Sequence, residues 1–248
     1  MPRLKLIVAY DGTPFRGWQS QPNGNTVQDH LERAFALITG EAVRVHGAGR
    51  TDAGVHALAQ CAHVELANRS LVAERWLSAL NAHLPPTVRV LRCSYVPANF
   101  HARFSATGKT YRYRIWNDAV LPPLELNRAW HVYTPIDINL LASAASLFEG
   151  RHDFAGFAAN RGKPEQSTER TINAARVRQK GRCIEIEFSG DGFLYKMVRL
   201  MVGALVCHAT GRLSAADLRT RLLAPEKTAA GARFLAPAHG LFLVRVRY

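Results

Sequence analysis

The sequence predicts an α+β fold built from two related halves, each a split β-α-β (ferredoxin-like) unit with a largely antiparallel or mixed sheet. Three observations lead there. Apolar periodicity runs strand, helix, strand, strand, helix, strand from Leu4 to Val96. A similar order recurs from Thr110 to Tyr248. Glycine and proline punctuate it at Asp11-Gly12-Thr13-Pro14, Gly40, Pro85-Pro86, Gly150 and Lys180-Gly181. The expected halves are 1–105 and 106–248, with a basic cleft where their sheets meet.

In the first half, Leu4, Leu6, Val8 and Tyr10 alternate as a strand. Phe15 to Pro22 is a loop of aromatics, Arg and amides. That composition suits stacking on bases, and it equally suits an ordinary loop with Trp18 in the core. Thr26 and Asp29 form a capping signal for a helix carrying Val27, Leu31, Ala34, Phe35 and Ile38, which Gly40 ends. Ala42 to Val45 and Leu58 to Leu66 read as strands of a wide hairpin, with Leu58, Ala62, Val64 and Leu66 on one side. Ser70 is expected to open a helix with Trp76, Leu77 and Leu80 inward, stopped by Pro85, and Thr87 to Val96 is a strand.

In the second half, Thr110 to Trp116 and Arg128 to Tyr133 are expected strands. Asp137 caps a helix carrying Leu140, Leu141, Ala144, Leu147 and Phe148, ended by Gly150. Thr171 to Arg178 and Arg182 to Phe188 form a hairpin. Gly192 to Ala209 reads as one long buried helix, Ser214 starts a short one, and Leu241 to Tyr248 is the last strand. Arg151 to Arg170 is expected to be an irregular insertion, a mobile loop over the substrate.

The chain has 248 residues, 48% of them hydrophobic, enough for a sizeable core. A formal net charge of +13, with Arg in excess of Lys, points to a polyanionic partner, because neutralising phosphates releases counterions. Cys61, Cys93, Cys183 and Cys207 are scattered without a CxxC pair, which argues against a zinc site or a disulfide framework. With neither a membrane-length apolar run nor a signal-peptide pattern, the expected location is the cytoplasm.

The chemistry centres on Val45 to Ala57. This glycine-rich loop places the carboxylate of Asp52 two residues after the guanidinium of Arg50. An Asp in such a turn most often bonds local backbone N–H groups, and it also suits nucleophilic chemistry. The glycine spacing does not fit a dinucleotide or P-loop cradle. Tyr111, Tyr113 and Ile115 share one face of an alternating strand, where a tyrosine stacks on a base or packs into the core. Lys196 and Arg199 are the polar exceptions in the apolar helix. An arginine read as mid-helix in so apolar a segment calls for an anionic partner, and Asp52 is the obvious candidate.

Gly49-Arg50-Thr51-Asp52-Ala53-Gly54-Val55-His56, Phe100-His101-Ala102-Arg103-Phe104-Ser105-Ala106, Tyr111-Arg112-Tyr113 and Met197-Val198-Arg199 resemble the signature segments of the TruA-type tRNA pseudouridine synthases. Tyr10-Asp11-Gly12, Gly17-Trp18-Gln19, Asn81 to Pro85, Arg170-Thr171-Ile172 and Ala236 to Leu241 fit as well, so the resemblance covers nearly the whole chain in order. It implies the pseudouridine synthase fold and isomerisation of uridine in the tRNA anticodon stem-loop, at positions 38, 39 or 40. It also implies Asp52 as nucleophile, Tyr111 as the contact to the target base and Arg199 as the partner of Asp52. Arg50, Arg103, Trp18 and Lys196 are the further substrate-binding candidates. By the same resemblance the partners are tRNA and a second copy of the chain, with no metal and no organic cofactor. A non-catalytic RNA-binding module is the alternative; a metal-dependent nuclease would need clustered carboxylates.

Overall fold

The computed structural model describes residues 1–22, 24–68, 71–159, 167–223 and 234–248, which divide into two compact units. Unit 1 comprises Met1–Thr107 and Phe242–Tyr248, and unit 2 comprises Gly108–Leu241.

Unit 1 holds β1 (Arg3–Tyr10), α1 (Val27–Thr39), β2 (Val45–Gly47), β3 (His56–Glu65), α2 (Ala73–His83), β4 (Val88–Val96) and nearly all of β10 (Leu241–Arg247). β1 pairs antiparallel with β3 and with β4, and β2 pairs antiparallel with β3. The spatial order β4-β1-β3-β2 is that of a split β-α-β sheet. β2 occupies only one stretch of β3, at Ala62–Val64; β10 runs parallel to the other, with Phe242 opposite His56 and Leu243 opposite Ala57.

The core follows from the pleat. Leu4, Leu6, Val8 and Tyr10 of β1 are buried and their neighbours are not. Leu31, Ala34 and Phe35 of α1 and Trp76 and Leu80 of α2 complete this layer, with Phe35 and Trp76 ring centroids 5.3 Å apart. α1 begins with a full capping box: Thr26 accepts from the Asp29 amide, and Asp29 accepts from the Thr26 amide. It ends at Gly40 in the left-handed conformation.

β3 departs from the expected alternation. Leu58 is 44% exposed, while Gln60, Cys61, Ala62, His63 and Val64 are all buried. The register explains the first point: Val8 faces Gln60 but Tyr10 faces Ala57, so a bulge shifts the phase of side chains upstream of Gln60. A second layer explains the rest, since Cys61 packs with Ala48 and Ala102 beneath Ile7, Phe100 and Val246. The strand expected from Ala42 begins at Val45. Ser70 lies outside the described residues; α2 starts at Ala73, capped by Val72.

Unit 2 holds β5 (Gly108–Trp116), β6 (Trp130–His131), α3 (Ile138–Ser146), β7 (Gly150–Asp153), β8 (Glu169–Lys180), β9 (Cys183–Gly190), α4 (Met197–Ala209) and α5 (Ala215–Leu223). Its antiparallel strands stand in the order β5-β9-β8-β7, with β6 parallel to β5. The series β5-β9-β8 repeats the series β1-β3-β2 of unit 1. Phe148 lies at its centre, with ring centroids of Phe154, Phe157 and Phe188 at 6.3, 5.0 and 6.2 Å.

Several expected boundaries move here. α3 ends at Ser146 rather than Gly150: Leu147, Phe148 and Glu149 bond three residues back instead of four, and Gly150, at φ +103°, then turns the chain into β7. Leu140, expected inward, is 44% exposed. The strand expected over Arg128–Tyr133 is two residues long. The expected irregular insertion has ordered ends, as β7 pairs with the start of β8 and Phe154 and Phe157 are buried; residues 160–166 lie outside the described residues. α4 begins at Met197, not Gly192, so Lys196 precedes the helix as its cap and Arg199 sits in its first turn. α4 is buried almost all round, as its composition predicts.

Candidate active site

The Asp52 loop is built on packed backbone. The Trp18 backbone amide donates to the Thr51 carbonyl at 3.1 Å, and the Val55 amide donates to the Asp52 carbonyl at 3.1 Å. Gly54, at φ +78°, supplies the positive torsion that the third residue of a type II turn demands. The Thr51 hydroxyl lies 2.8 Å from the Tyr10 hydroxyl, both buried, which ties the loop to the end of β1. Gln60 donates to the Gly49 carbonyl at 2.8 Å. Gly12 donates to Nδ1 of the buried His56 at 3.0 Å, and the His56 ring stacks on Phe242 at 4.6 Å. The half-buried Asp52 therefore stands on a loop held from below by β1, β3 and the segment before α1.

Two glycines are required for that closeness. A Cβ on Gly12 would lie 2.1 Å from the Val55 carbonyl oxygen. A Cβ on Gly47 would lie 2.4 Å from Trp18 Nε1. The second contact also settles the place of Trp18: at 2% exposure it is a wedge under the loop and offers no face for a base. Arg50 is exposed on the same loop, and its Nε donates to Gln19 Oε1 at 3.1 Å.

The segment His101–Ser105 is folded around histidine. His101 Nδ1 accepts from the Arg103 amide at 3.1 Å, and His63 Nδ1 accepts from the Ala102 amide at 3.1 Å. The rings of His63 and His101 are 4.6 Å apart, with His46 at 5.0 Å from His63. Burial, and then the neighbouring His101, His46 and Arg3, push the His63 pKa down to about 4, so the ring is neutral at pH 7. Arg103 is exposed, with its guanidinium 5.6 Å from the Phe104 ring centroid.

In unit 2, Tyr111 is buried at 8% exposure on β5, its ring edge-on to Phe193 at 5.0 Å. Tyr113 is the deeper of the two, fully buried, with its hydroxyl donating to the Pro237 carbonyl at 2.7 Å; burial holds its pKa well above the ordinary phenol value. The half-buried Arg199 donates from Nε to the Ala236 carbonyl at 2.8 Å, and Ala236 returns an amide to the Arg199 carbonyl at 3.2 Å. Lys196 takes a left-handed backbone, φ +61°, and its Nζ lies 5.0 Å from the Tyr195 ring centroid. The four cysteines are free thiols, Cys61 buried and the others half-buried.

Sequence reasoning overlooked Thr51, Gln60 and His63. Their signal is a polar residue at a buried strand or loop position, visible only once both faces of β3 are known to be covered.

The sequence profile described as "tRNA pseudouridine synthase" matches residues 6–105 and 144–248. The chain is 48% identical over 257 residues to the tRNA pseudouridine synthase A of Akkermansia muciniphila, covering 100% of this chain and 96% of that protein. It is 46% identical to the protein of the same name from Afipia carboxidovorans, with 100% of both chains covered, and 46% identical to that of Methylacidiphilum infernorum, with 98% and 94% covered. Among solved structures, the crystal structure of a Cbf5-Nop10-Gar1 complex aligns over 82% of this chain and 44% of that one at 11% identity and a TM-score of 0.37, which adds no weight. On its profile match and its full-length identity to these relatives, the chain belongs to the tRNA pseudouridine synthase family.

Proposed function

We propose that this protein isomerises uridine to pseudouridine in the anticodon stem-loop of tRNA, at positions 38, 39 or 40, with Asp52 as the nucleophile. The observation that carries the reading is the full-length identity to proteins named tRNA pseudouridine synthase A, together with Asp52 at the tip of a loop whose backbone is packed on all its supports.

The reaction breaks the glycosidic bond at N1 and re-forms it at C5 of the same uracil. Nothing is oxidised, but as the bond to C5 forms the C5 proton must leave and N1 must gain one, so the site needs an ionised carboxylate, a sealed pocket, room for the base to rotate and a path for that proton. The target base must leave its stack to reach the carboxylate. In this reading Arg199 is the ion-pair partner of Asp52, and Tyr111 contacts the displaced base. Arg50, Arg103 and Lys196 contact the RNA. The protein acts as a homodimer in the cytoplasm, binds tRNA in a basic cleft and uses neither metal nor organic cofactor. The formal charge of +13 supports the tRNA partner. No helix among the described residues is long and apolar enough to cross a membrane.

The test is nucleoside chromatography or carbodiimide labelling of undermodified tRNA, because uridine and pseudouridine have equal mass. Wild-type protein should form pseudouridine, and Asp52→Ala should form none while binding tRNA with near-normal affinity. Product from Asp52→Ala would end the assignment of the nucleophile.

A further inference from the structure

One chain of side-chain hydrogen bonds in unit 1 runs in a single direction. Arg50 donates from Nε to Gln19 Oε1 at 3.1 Å. Gln19 donates from Nε2 to Gln28 Oε1 at 2.8 Å. Gln28 donates from Nε2 to Glu32 Oε1 at 2.8 Å. The order is guanidinium, amide, amide, carboxylate.

The sense of both amides is fixed by partners that have only one role. Gln28 Oε1 also accepts the Ser20 amide at 2.9 Å, and Gln28 Nε2 also donates to the Val45 carbonyl at 3.1 Å. Turning that amide over would set donor against donor and acceptor against acceptor. Gln19 Oε1 faces an arginine nitrogen, which can only donate. Two amide dipoles thus lie head to tail between a cation and an anion, an arrangement in which each bond polarises the next. Gln28 is 2% exposed, so water does not compete for its bonds.

The anchor of this chain is α1. Gln28 and Glu32 are one helical turn apart on one face, behind the Thr26–Asp29 capping box. Glu32 Oε1 also accepts the Val45 amide at 3.0 Å, and Val45 opens β2, the strand leading into the Asp52 loop. One carboxylate on one helix therefore holds the root of the loop directly and the Arg50 side chain through two amides. An exposed arginine otherwise samples many rotamers, and the bond to Gln19 removes that freedom while using one of its five donors.

We propose that Gln19 and Gln28 are positioning residues for Arg50. They touch no substrate; they aim the guanidinium so that its four remaining donors, on the two Nη atoms, meet the RNA during isomerisation. This rests on the reading above that Arg50 contacts the RNA.

Gln19→Met keeps the length of the side chain and removes the amide. Loss of one orienting bond should slow the single-turnover rate at saturating tRNA about tenfold, with tRNA affinity within about twofold and the melting temperature unchanged. In an Arg50→Ala background the same substitution should add less than about twofold, because its effect passes through Arg50. Gln28→Met should show the same rate pattern, but it also strips bonds from Ser20 and Val45 and destabilises the fold, so Gln19→Met decides. A readout independent of turnover is the Arg50 Nε–H signal in 15N-edited spectra of the free protein. It should exchange slowly with water in the wild type and rapidly in Gln19→Met.

Equal losses from Gln19→Met in both backgrounds, or rapid Nε–H exchange in the wild type, would overturn the proposal. So would a slow Arg50→Ala beside a Gln19→Met of wild-type rate, and that result would leave the role of Arg50 intact. A wild-type rate for Arg50→Ala would overturn the contact of Arg50 with the RNA and the positioning role together.

Discussion

Gly17 lies against the peptide of Asp52. A Cβ on Gly17 would fall 2.5 Å from the Thr51 carbonyl oxygen, 3.1 Å from the Asp52 carbonyl carbon and 3.2 Å from the Ala53 nitrogen. The obstacle is backbone on every side, and Gly17 is also at φ +89°, where an L side chain is strained. The Asp52 loop has no slack to absorb a methyl group there.

Gly17→Ala should therefore damage turnover more than folding. Left-handed strain and overlap cost about 1–3 kcal/mol, which urea denaturation would measure. Displacing the loop by about 1 Å should reduce the single-turnover rate on the order of a hundredfold. A variant with near-normal rate would show that Asp52 does not depend on this support.

Gly203 plays the corresponding part in unit 2. A Cβ there would lie 1.5 Å from the Phe234 carbonyl oxygen, on the segment whose Ala236 bonds Arg199 in both directions. Alanine improves helix propensity by about 1 kcal/mol, but the overlap costs about 3 kcal/mol. The overlap wins, so Gly203→Ala should be destabilising by roughly 2 kcal/mol on thermal or urea unfolding. Gly211 is the comparison: its alanine variant meets no atom and carries only the strain of a left-handed backbone, φ +73°, about 1 kcal/mol.

The buried imidazole of His63 makes stability depend on pH. Its pKa falls from 6.5 to about 4 on folding, so between those values the unfolded chain binds the extra proton. Stability is fully present above pH 6.5 and is lost as the pH falls towards 4, by about 3 kcal/mol for this group. His101, also lowered by burial and then by His46, Arg3 and Arg103, adds to the same limb. Urea midpoints measured across this range should fall on acidification, and His63→Leu should flatten the slope. An unchanged slope in that variant would place the acid sensitivity elsewhere.

Binding of tRNA should weaken steeply with salt. Each single-strand phosphate neutralised contributes about −0.7 to the slope of log K against log salt, so five such contacts give about −3.5. Exchanging the exposed Arg103 for Ala should reduce the slope by about one contact, read by filter binding at several salt concentrations. A flat salt dependence would contradict a basic tRNA-binding surface.

Elements with local chemical signals stand where the sequence places them. Thr26 and Gly40 bracket α1, Asp137 caps α3 by accepting two amides, and Gly181 turns β8 into β9. Alternation puts Tyr111, Tyr113 and Ile115 on one face without saying which way it looks, and all three are buried. Signals failed where a second contact overrides the local one. Gly192 to Lys196 read as helix because they precede an apolar run, but Lys196 breaks the helical torsion at φ +61°. Leu58 reads as inward because it keeps step with Ala62, but the bulge opposite Val8 and Tyr10 shifts the phase.

Family, polyanionic partner class and most of the order of strands and helices, β7 excepted, could be read from the residues alone. Those are written in neighbouring residues, in total charge and in signature segments that survive without coordinates. Folding alone makes Trp18 a wedge under Gly47, brings Gln28 and Glu32 to the Arg50 loop and returns β10 to lie beside β3. Each joins segments whose side chains carry no mark of the other, and the geometry of their meeting exists only once the sheet and α1 have packed.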